Sequence, residues 1–314
     1  MSDRIVIIAG GLTPERDVSL RSGRRVAEEL RAVGLTAEVH DIDATMLTDL
    51  RDDPPMCVIP LVHGAAGEDG SLQEVLQALH IPYVGSDDDA CRRSYDKAVA
   101  GALVQDGGLH FPPSVALPQS MFRDLGAGIL LEAITAELGL PLVVKPNRGG
   151  SALGLTIVHE PQELPAAMVG AFAYGDMVLI QKYVAGTEVA VAIAETDGGP
   201  IALPPVEIVP DSGLYDFAAR YTAGTTEFFV PARLPQHTLR AAEATALAAH
   251  RILGLRDWSR SDIIVDAEGI PWFLEVNVAP GMTETSLYPQ AVAAVNRRIG
   301  DLIADLIKHA VGRD

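Results

Sequence analysis

Residues 259–287, SRSDIIVDAEGIPWFLEVNVAPGMTETSL, constrain the fold more than any other stretch of this 314-residue chain. Two runs rich in β-branched and aromatic residues, 262–266 and 270–278, flank Ala267-Glu268-Gly269, a turn signal, and together predict a β-hairpin. With the turn on Glu268-Gly269, Asp262 faces Glu275 and Arg260 faces Asn277. Opposite residues share a face of a sheet, as do residues two apart on one strand. One face therefore carries Arg260, Asp262, Glu275 and Asn277, while Ile263, Val265, Leu274 and Val276 point into a core. Two carboxylates and an amide oxygen on one rigid surface are hard ligands suited to Mg²⁺ held against phosphates. A solvated outer face with an incidental ion pair would give the same pattern in a chain with 42 acidic residues.

The length predicts two or three domains, since a single hydrophobic core stops growing before this size. No run approaches the ~18 apolar residues of a membrane span, and the apolar start after Met1 is too short for a signal peptide. Cys57 and Cys91 make neither a disulfide framework nor a metal spacing, which fits a reduced, cytoplasmic compartment. A net charge of −18 argues against a nucleic-acid partner and makes each cation informative. Only Lys97, Lys145, Lys182 and Lys308 are lysines, so a lysine inside a motif suggests a need for a compact ammonium. Lys308 lies in the last helix and reads as a solvated surface residue.

Strand and helix patterns alternate over the first hundred residues: strands at 4–9, 36–43, 57–63 and 82–85, and helices at 19–33 and 71–79. This predicts a parallel α/β domain with functional residues in loops beyond the strand ends. Two loops carry polar groups there. One is Gly10-Gly-Leu-Thr-Pro-Glu15, where Glu15 also suits a helix N-terminus; the other is His63-Gly-Ala-Ala-Gly-Glu-Asp-Gly70. Ser71 and Glu74 have the spacing of a capping box, and Asp87-Asp-Asp89 that of an N-cap run.

Further on, Tyr95-Asp96-Lys97 opens a helix expected to carry Val99, Leu103 and Val104 inward. A buried Val143-Val-Lys145-Pro146 runs into Asn147-Arg-Gly-Gly-Ser-Ala-Leu-Gly154, a glycine loop whose N–H groups can cradle phosphate oxygens. No Gly-Lys-Ser/Thr follows, so it is not a Walker A loop. Residues 177–184 read as a strand ending in Gln181-Lys182-Tyr183-Val184, and residues 206–230 as a long functional loop containing Arg220 and Tyr221. Residues 237–254 and 288–311 read as helices.

In order and at family spacing, from Gly10 to Leu287, these motifs resemble the ATP-grasp ligases, and among them the D-alanine–D-alanine ligases most closely. The carrying signature is Arg260-Ser-Asp262, then Glu275-Val-Asn277-Val-Ala-Pro280-Gly281-Met282-Thr283 and Ser286-Leu287. The resemblance implies an α/β fold, with an N-terminal parallel α/β domain (1–95) before a two-lobed ATP-grasp fold (96–187 and 188–314). It implies Asp262, Glu275 and Asn277 as ligands of two Mg²⁺ ions, with Mn²⁺ an alternative. Lys97, Lys145 and Arg220 would meet phosphates; Gln181, Lys182, Tyr183 and Val184 would line the adenine; Glu188 would accept the ribose hydroxyls. Glu15 would receive the first substrate's amino group, with Tyr221 bonded to Ser151 and through it to Glu15. His63, Ser286 and Leu287 would line the amino-acid site, and Arg260 with the Gly281 N–H would stabilise a tetrahedral intermediate.

The implied activity is ATP-dependent joining of two D-amino acids, chiefly D-alanine with D-alanine, through an acyl phosphate for peptidoglycan precursors. The partners are small molecules, with no membrane or nucleic acid, and a homodimer is expected by family habit. The chain departs from the family pattern at Glu74, Asp87 to Asp89, Gly149, Gln181 and Arg220. Asp87 to Asp89 and Gly149 keep open another amino-acid pair, such as D-alanine with D-serine or a secondary-metabolite acid. Tyr221 disfavours a D-lactate-using ligase, and Arg260 disfavours a non-catalytic ATP-binding protein.

Overall fold

The computed structural model describes residues 3–222 and 224–313 and contains three sheets. The first is parallel, in the order Thr36–Asp41, Arg4–Ala9, Cys57–Pro60. Alternation along Arg4–Ala9 divides its side chains between two cores. Ile5 and Ile7 pack with Val26 and Leu30 of the helix Arg16–Ala32 and with Leu302, Ile303 and Leu306 of the C-terminal helix Ile299–Val311. Val6 and Ile8 pack with Leu50, Leu72 and Leu76. Both faces are covered, which is why the strand reads as an unbroken apolar run.

The second sheet is antiparallel, in the order Ser114–Pro118, Met177–Lys182, Leu142–Pro146, Thr156–Val158. One face carries Leu142, Val144, Val178 and Ile180 against the helices Ala127–Leu138 and Leu164–Phe172. The period-two alternation sends Val143, Lys145 and Gln181 to the opposite face, where they border a large cavity.

The third sheet, also antiparallel, runs Thr226–Phe229, Val206–Pro210, Thr187–Ala194, Trp258–Val265, Pro271–Asn277, with Ile201–Ala202 on the edge of Thr187–Ala194. Val189, Val191 and Ile193 pack against the helix Gln236–Ile252. On the other face Ala190 lies opposite Asp262 and Ala192 opposite Arg260. Small side chains at those two positions leave room for the long ones across from them.

Several local expectations are corrected. The hairpin register pairs Arg260 with Asn277 and Asp262 with Glu275, but a bulge then shifts it, so that Ile263 pairs with Phe273. Leu274 is the extra residue; it borders the large cavity, and Phe273, fully buried, takes its place in the core. The Ser71/Glu74 capping box does not form: left-handed Gly70 precedes the helix Ser71–Ala78, and Arg92 takes the Glu74 carboxylate. Val99 is exposed, and the helix Lys97–Asp106 buries Ala100, Gly101 and Val104. The 206–230 segment holds two strands and the short helix Phe217–Tyr221 between them. The last helical stretch is two helices, Leu287–Ala294 and Ile299–Val311, separated where Asn296 turns left-handed (φ +55°). Among the described residues no helix is long and apolar enough to cross a membrane.

Candidate active site

Two adjoining cavities contain every residue singled out for the site. The larger, about 1030 Å³, lies between the two antiparallel sheets. Lys145 and Gln181 project into it from the second sheet, Glu188, Asp262 and Glu275 from the third. Lys182, Tyr183 and Val184 form its wall where the chain crosses from one sheet to the other. The backbone there is pinned: Lys182 N–H donates to the Pro113 carbonyl at 2.8 Å and Tyr183 N–H to the Pro141 carbonyl at 3.1 Å. Gly186 is required at this crossing, because an added Cβ would stand 2.2 Å from the Val265 carbonyl oxygen.

The smaller cavity, about 420 Å³, holds His63, Ser151, Tyr221, Arg260, Asn277, Gly281, Ser286 and Leu287. Glu15, Lys97, Arg220 and Glu275 border both cavities and mark their junction.

Charge is concentrated at that junction. Lys97 Nζ lies 3.3 Å from Glu275 Oε2 and donates to the Gly149 carbonyl at 2.6 Å. Burial alone would raise the Glu275 carboxyl, but the Lys97 and Lys145 ammonium groups hold it at about 2. Burial lowers Lys145 to about 8, against the pull of Glu275. Burial also raises Glu188 to about 7, opposed by Arg220. Arg260 grips Asp262 with two bonds, Nε to Oδ1 at 2.7 Å and Nη2 to Oδ2 at 2.9 Å. Burial disfavours that guanidinium's charge, and Asp262 more than compensates, so Arg260 stays a fixed cation at the wall of the smaller cavity.

Glu15 sits at the start of the helix Arg16–Ala32, buried, and its carboxyl is raised by burial and by Glu68, with the Ser151 bond opposing. Ser151 Oγ donates to Glu15 Oε1 and lies 2.6 Å from Tyr221 OH. Ser151 (φ +53°) and Ala152 (φ +55°) are both left-handed, a conformation that turns the glycine loop sharply enough to aim the hydroxyl at Glu15. His63 Nδ1 faces Glu68 Oε1 at 3.8 Å, and among the described residues no partner meets its buried Nε2.

Other residues that shape the site were given no role in the sequence. Asp96 caps the Lys97 helix by accepting from Val99 N–H, takes the Asn147 amide at 2.8 Å, and pairs with Arg148 at 3.1 Å. That node ties the glycine loop to the helix bearing Lys97; an Asp directly before a helix is its only sequence signal. Tyr215 borders both cavities and carries the Arg220 guanidinium 4.2 Å above its ring, with Arg220 Nε donating to its carbonyl at 3.2 Å. Asp87 caps the helix Asp88–Tyr95, and Asp88 and Asp89 pair with Arg92. None of the three borders either cavity.

Two antiparallel sheets enclosing a nucleotide-sized, lysine-lined cavity, behind a parallel α/β unit, define an ATP-grasp ligase. The chain belongs to the D-alanine–D-alanine ligase family: the family model described as D-ala D-ala ligase C-terminus matches residues 103–308, and that for the N-terminus residues 37–86. The chain is 40% identical over 307 residues to a D-alanine–D-alanine ligase of Anaeromyxobacter sp. (strain K), covering 98% of this chain and 96% of the relative. Among solved structures it is similar to the D-alanine–D-alanine ligase of Bacillus anthracis complexed with ATP, at 29% identity and a TM-score of 0.81, covering 100% and 98% of the two chains. It is also similar to the VanG D-Ala:D-Ser ligase of Enterococcus faecalis, at 27% identity and a TM-score of 0.83, covering 98% and 99%.

Proposed function

We propose that this protein joins two molecules of D-alanine at the expense of ATP. The observation that carries the reading is the junction: a nucleotide-sized cavity opens, at its cationic end, into a cavity of amino-acid size walled by buried Glu15 and Arg260.

In this reading Lys182, Tyr183 and Val184 line the adenine, and Gln181 accepts from its amine. Glu188 accepts the ribose hydroxyls. Lys97, Lys145 and Arg220 hold the phosphates. Asp262 and Glu275, opposite each other on the hairpin, offer carboxylate oxygens toward the same cavity. Two carboxylates completed by nucleotide oxygens and water are the ordinary donor set of Mg²⁺, so these residues fit that ion, or Mn²⁺. Asn277 would join them through the lone pair left after its Oδ1 accepts the Ala279 N–H at 2.8 Å. The metal, when bound, supplies neutralisation of phosphate charge.

Glu15 takes the ammonium of the first amino acid, which offsets the penalty of burying this carboxylate. The substrate carboxylate then reaches the junction, where its oxygen attacks the γ-phosphorus, ADP departs, and an acyl phosphate forms. The free amine of the second amino acid attacks the acyl carbon, and the C–O bond to phosphate breaks. Arg260 and the Gly281 N–H stabilise the oxyanion between those events. Tyr221, Ser151 and His63 enclose the first substrate, Ser286 and Leu287 the second.

We read the chain as three units, 1–95, 96–187 and 188–314, acting as a cytoplasmic homodimer in peptidoglycan precursor synthesis. The test is ADP release from D-alanine alone and from D-alanine paired with D-serine, D-lactate or L-alanine, with products identified by mass. D-alanyl-D-alanine should dominate. The D-serine arm is included because of the likeness to the D-Ala:D-Ser ligase, and a mixed D-alanyl-D-serine product would replace this assignment.

A further inference from the structure

The helix Arg16–Ala32 begins beside Glu15 and reaches a second part of the site two to three turns later. Its buried Ser22 accepts the Met282 N–H on Oγ at 3.0 Å. Arg25 Nη1 donates to the Met282 carbonyl at 3.1 Å and also to the Thr283 carbonyl. Across a trans peptide the Thr283 N–H points opposite to the Met282 carbonyl, and there it meets Ser286 Oγ at 3.0 Å. Every backbone polar group of Met282 and Thr283 is therefore held, three of the four from this helix. Among the described residues none accepts the Gly281 N–H, and Gly281 borders the smaller cavity.

We propose that Arg25, assisted by Ser22, is a positioning residue for the Gly281 N–H. One rigid helix then sets both the acceptor of the first substrate's amino group and the donor to the oxyanion of the second step. The inference rests on the roles proposed above for Glu15 and Gly281. A guanidinium bonded to two successive carbonyls fixes orientation as well as position, because its donors lie in one plane. Misplacing a preorganised group by about 1 Å is enough to lose ~10² in rate.

The test compares wild type with Arg25→Met, Arg25→Lys and Ser22→Ala in the full-length protein. Arg25→Met should slow dipeptide formation ~10-fold or more. It should leave the ATP Michaelis constant and the acyl-phosphate step, followed by positional isotope exchange in ATP, close to wild type. Arg25→Lys, which keeps a cation with several donors, should recover most of the loss, and Ser22→Ala should shift the same step in the same direction. Amide hydrogen exchange over residues 279–287 should quicken in Arg25→Met. Unchanged exchange there, or equal losses in both chemical steps, would overturn the proposal. A wild-type protein that makes no dipeptide from D-alanine would instead count against the function, and the exchange measurement would still decide whether Arg25 holds the segment.

Discussion

Tyr221 OH lies 2.6 Å from Ser151 Oγ, which itself donates to the Glu15 carboxylate. A serine hydroxyl has one hydrogen, so Tyr221 must be the donor of the pair. A phenol is protonated at neutral pH, and the partial burial of Tyr221 shifts it further in that direction. Tyr221 comes from the short helix Phe217–Tyr221 and Ser151 from the glycine loop, so the chain Tyr221–Ser151–Glu15 closes one segment over another.

Tyr221→Phe removes only the hydroxyl. It should raise the Michaelis constant for the first amino acid and increase ATP hydrolysis without ligation. With D-alanine and D-lactate competing, the wild type should form peptide and not ester, and more so at pH 8 than at pH 6, because the amine must be unprotonated to attack. Ester as the main wild-type product near neutral pH would refute this account of the 206–230 segment.

Arg260 and Asp262 share two hydrogen bonds, so removing the arginine strips both from the buried Asp262 carboxylate and also takes a donor from the proposed oxyanion site. The oxyanion loses a preorganised donor, typically ~10²–10³ in rate. Dipeptide formation by Arg260→Ala should fall by about that factor, with the acyl-phosphate step less affected. Stopped-flow measurement of the two steps separates them; full-speed ligation would exclude the role.

Lys145 is buried against Glu275 and Lys97, whereas Lys308 is exposed and, among the described residues, pairs with Asp305 alone. Lys145→Ala should weaken ATP binding at least ~10-fold, the loss expected of one buried charge-assisted bond. Lys308→Ala should leave binding unchanged. Titration calorimetry with ATP checks both, and equal effects would contradict the nucleotide assignment.

His250 gives a pH dependence away from the site. Its Nδ1 meets Ser259 Oγ at 2.8 Å inside the third sheet's core. Burial, and secondarily Arg251, lowers it to about 4, although Glu195 lies 3.9 Å from Nε2. The unfolded chain, with an ordinary value near 6.5, therefore binds this proton first as pH falls. The neutral imidazole's stabilisation is fully present above about pH 6.5 and is lost progressively down to about pH 4, on the order of 3 kcal/mol in all. Urea unfolding at pH 8 and pH 5 should show a smaller decline for His250→Gln than for wild type. Parallel declines would mean that other groups carry the effect.

The hairpin was legible because alternation and turn chemistry are both local, and together they fix which residues share a face. The bulge that moves Leu274 to the cavity is set by pairing with the neighbouring strands and leaves no mark in the alternation of 270–278. The Ser71/Glu74 capping box failed for a similar reason: Arg92, eighteen residues on, competes for Glu74. Lysine scarcity pointed to Lys97, Lys145 and Lys182, all of which border the larger cavity. Asp96, Asn147, Tyr215 and Arg25 act by holding other residues, and such second-order contacts exist only after distant segments meet.

In the proposed reaction the junction lets a D-alanine carboxylate, and not water, attack the nucleotide. D-alanine labelled with ¹⁸O in its carboxylate decides this when the released inorganic phosphate is analysed by mass. The attacking oxygen stays with phosphorus when the amine displaces phosphate, so each dipeptide formed should be matched by one phosphate carrying one labelled oxygen. Unlabelled phosphate released alongside ADP would mean that water is the nucleophile, and would contradict the account.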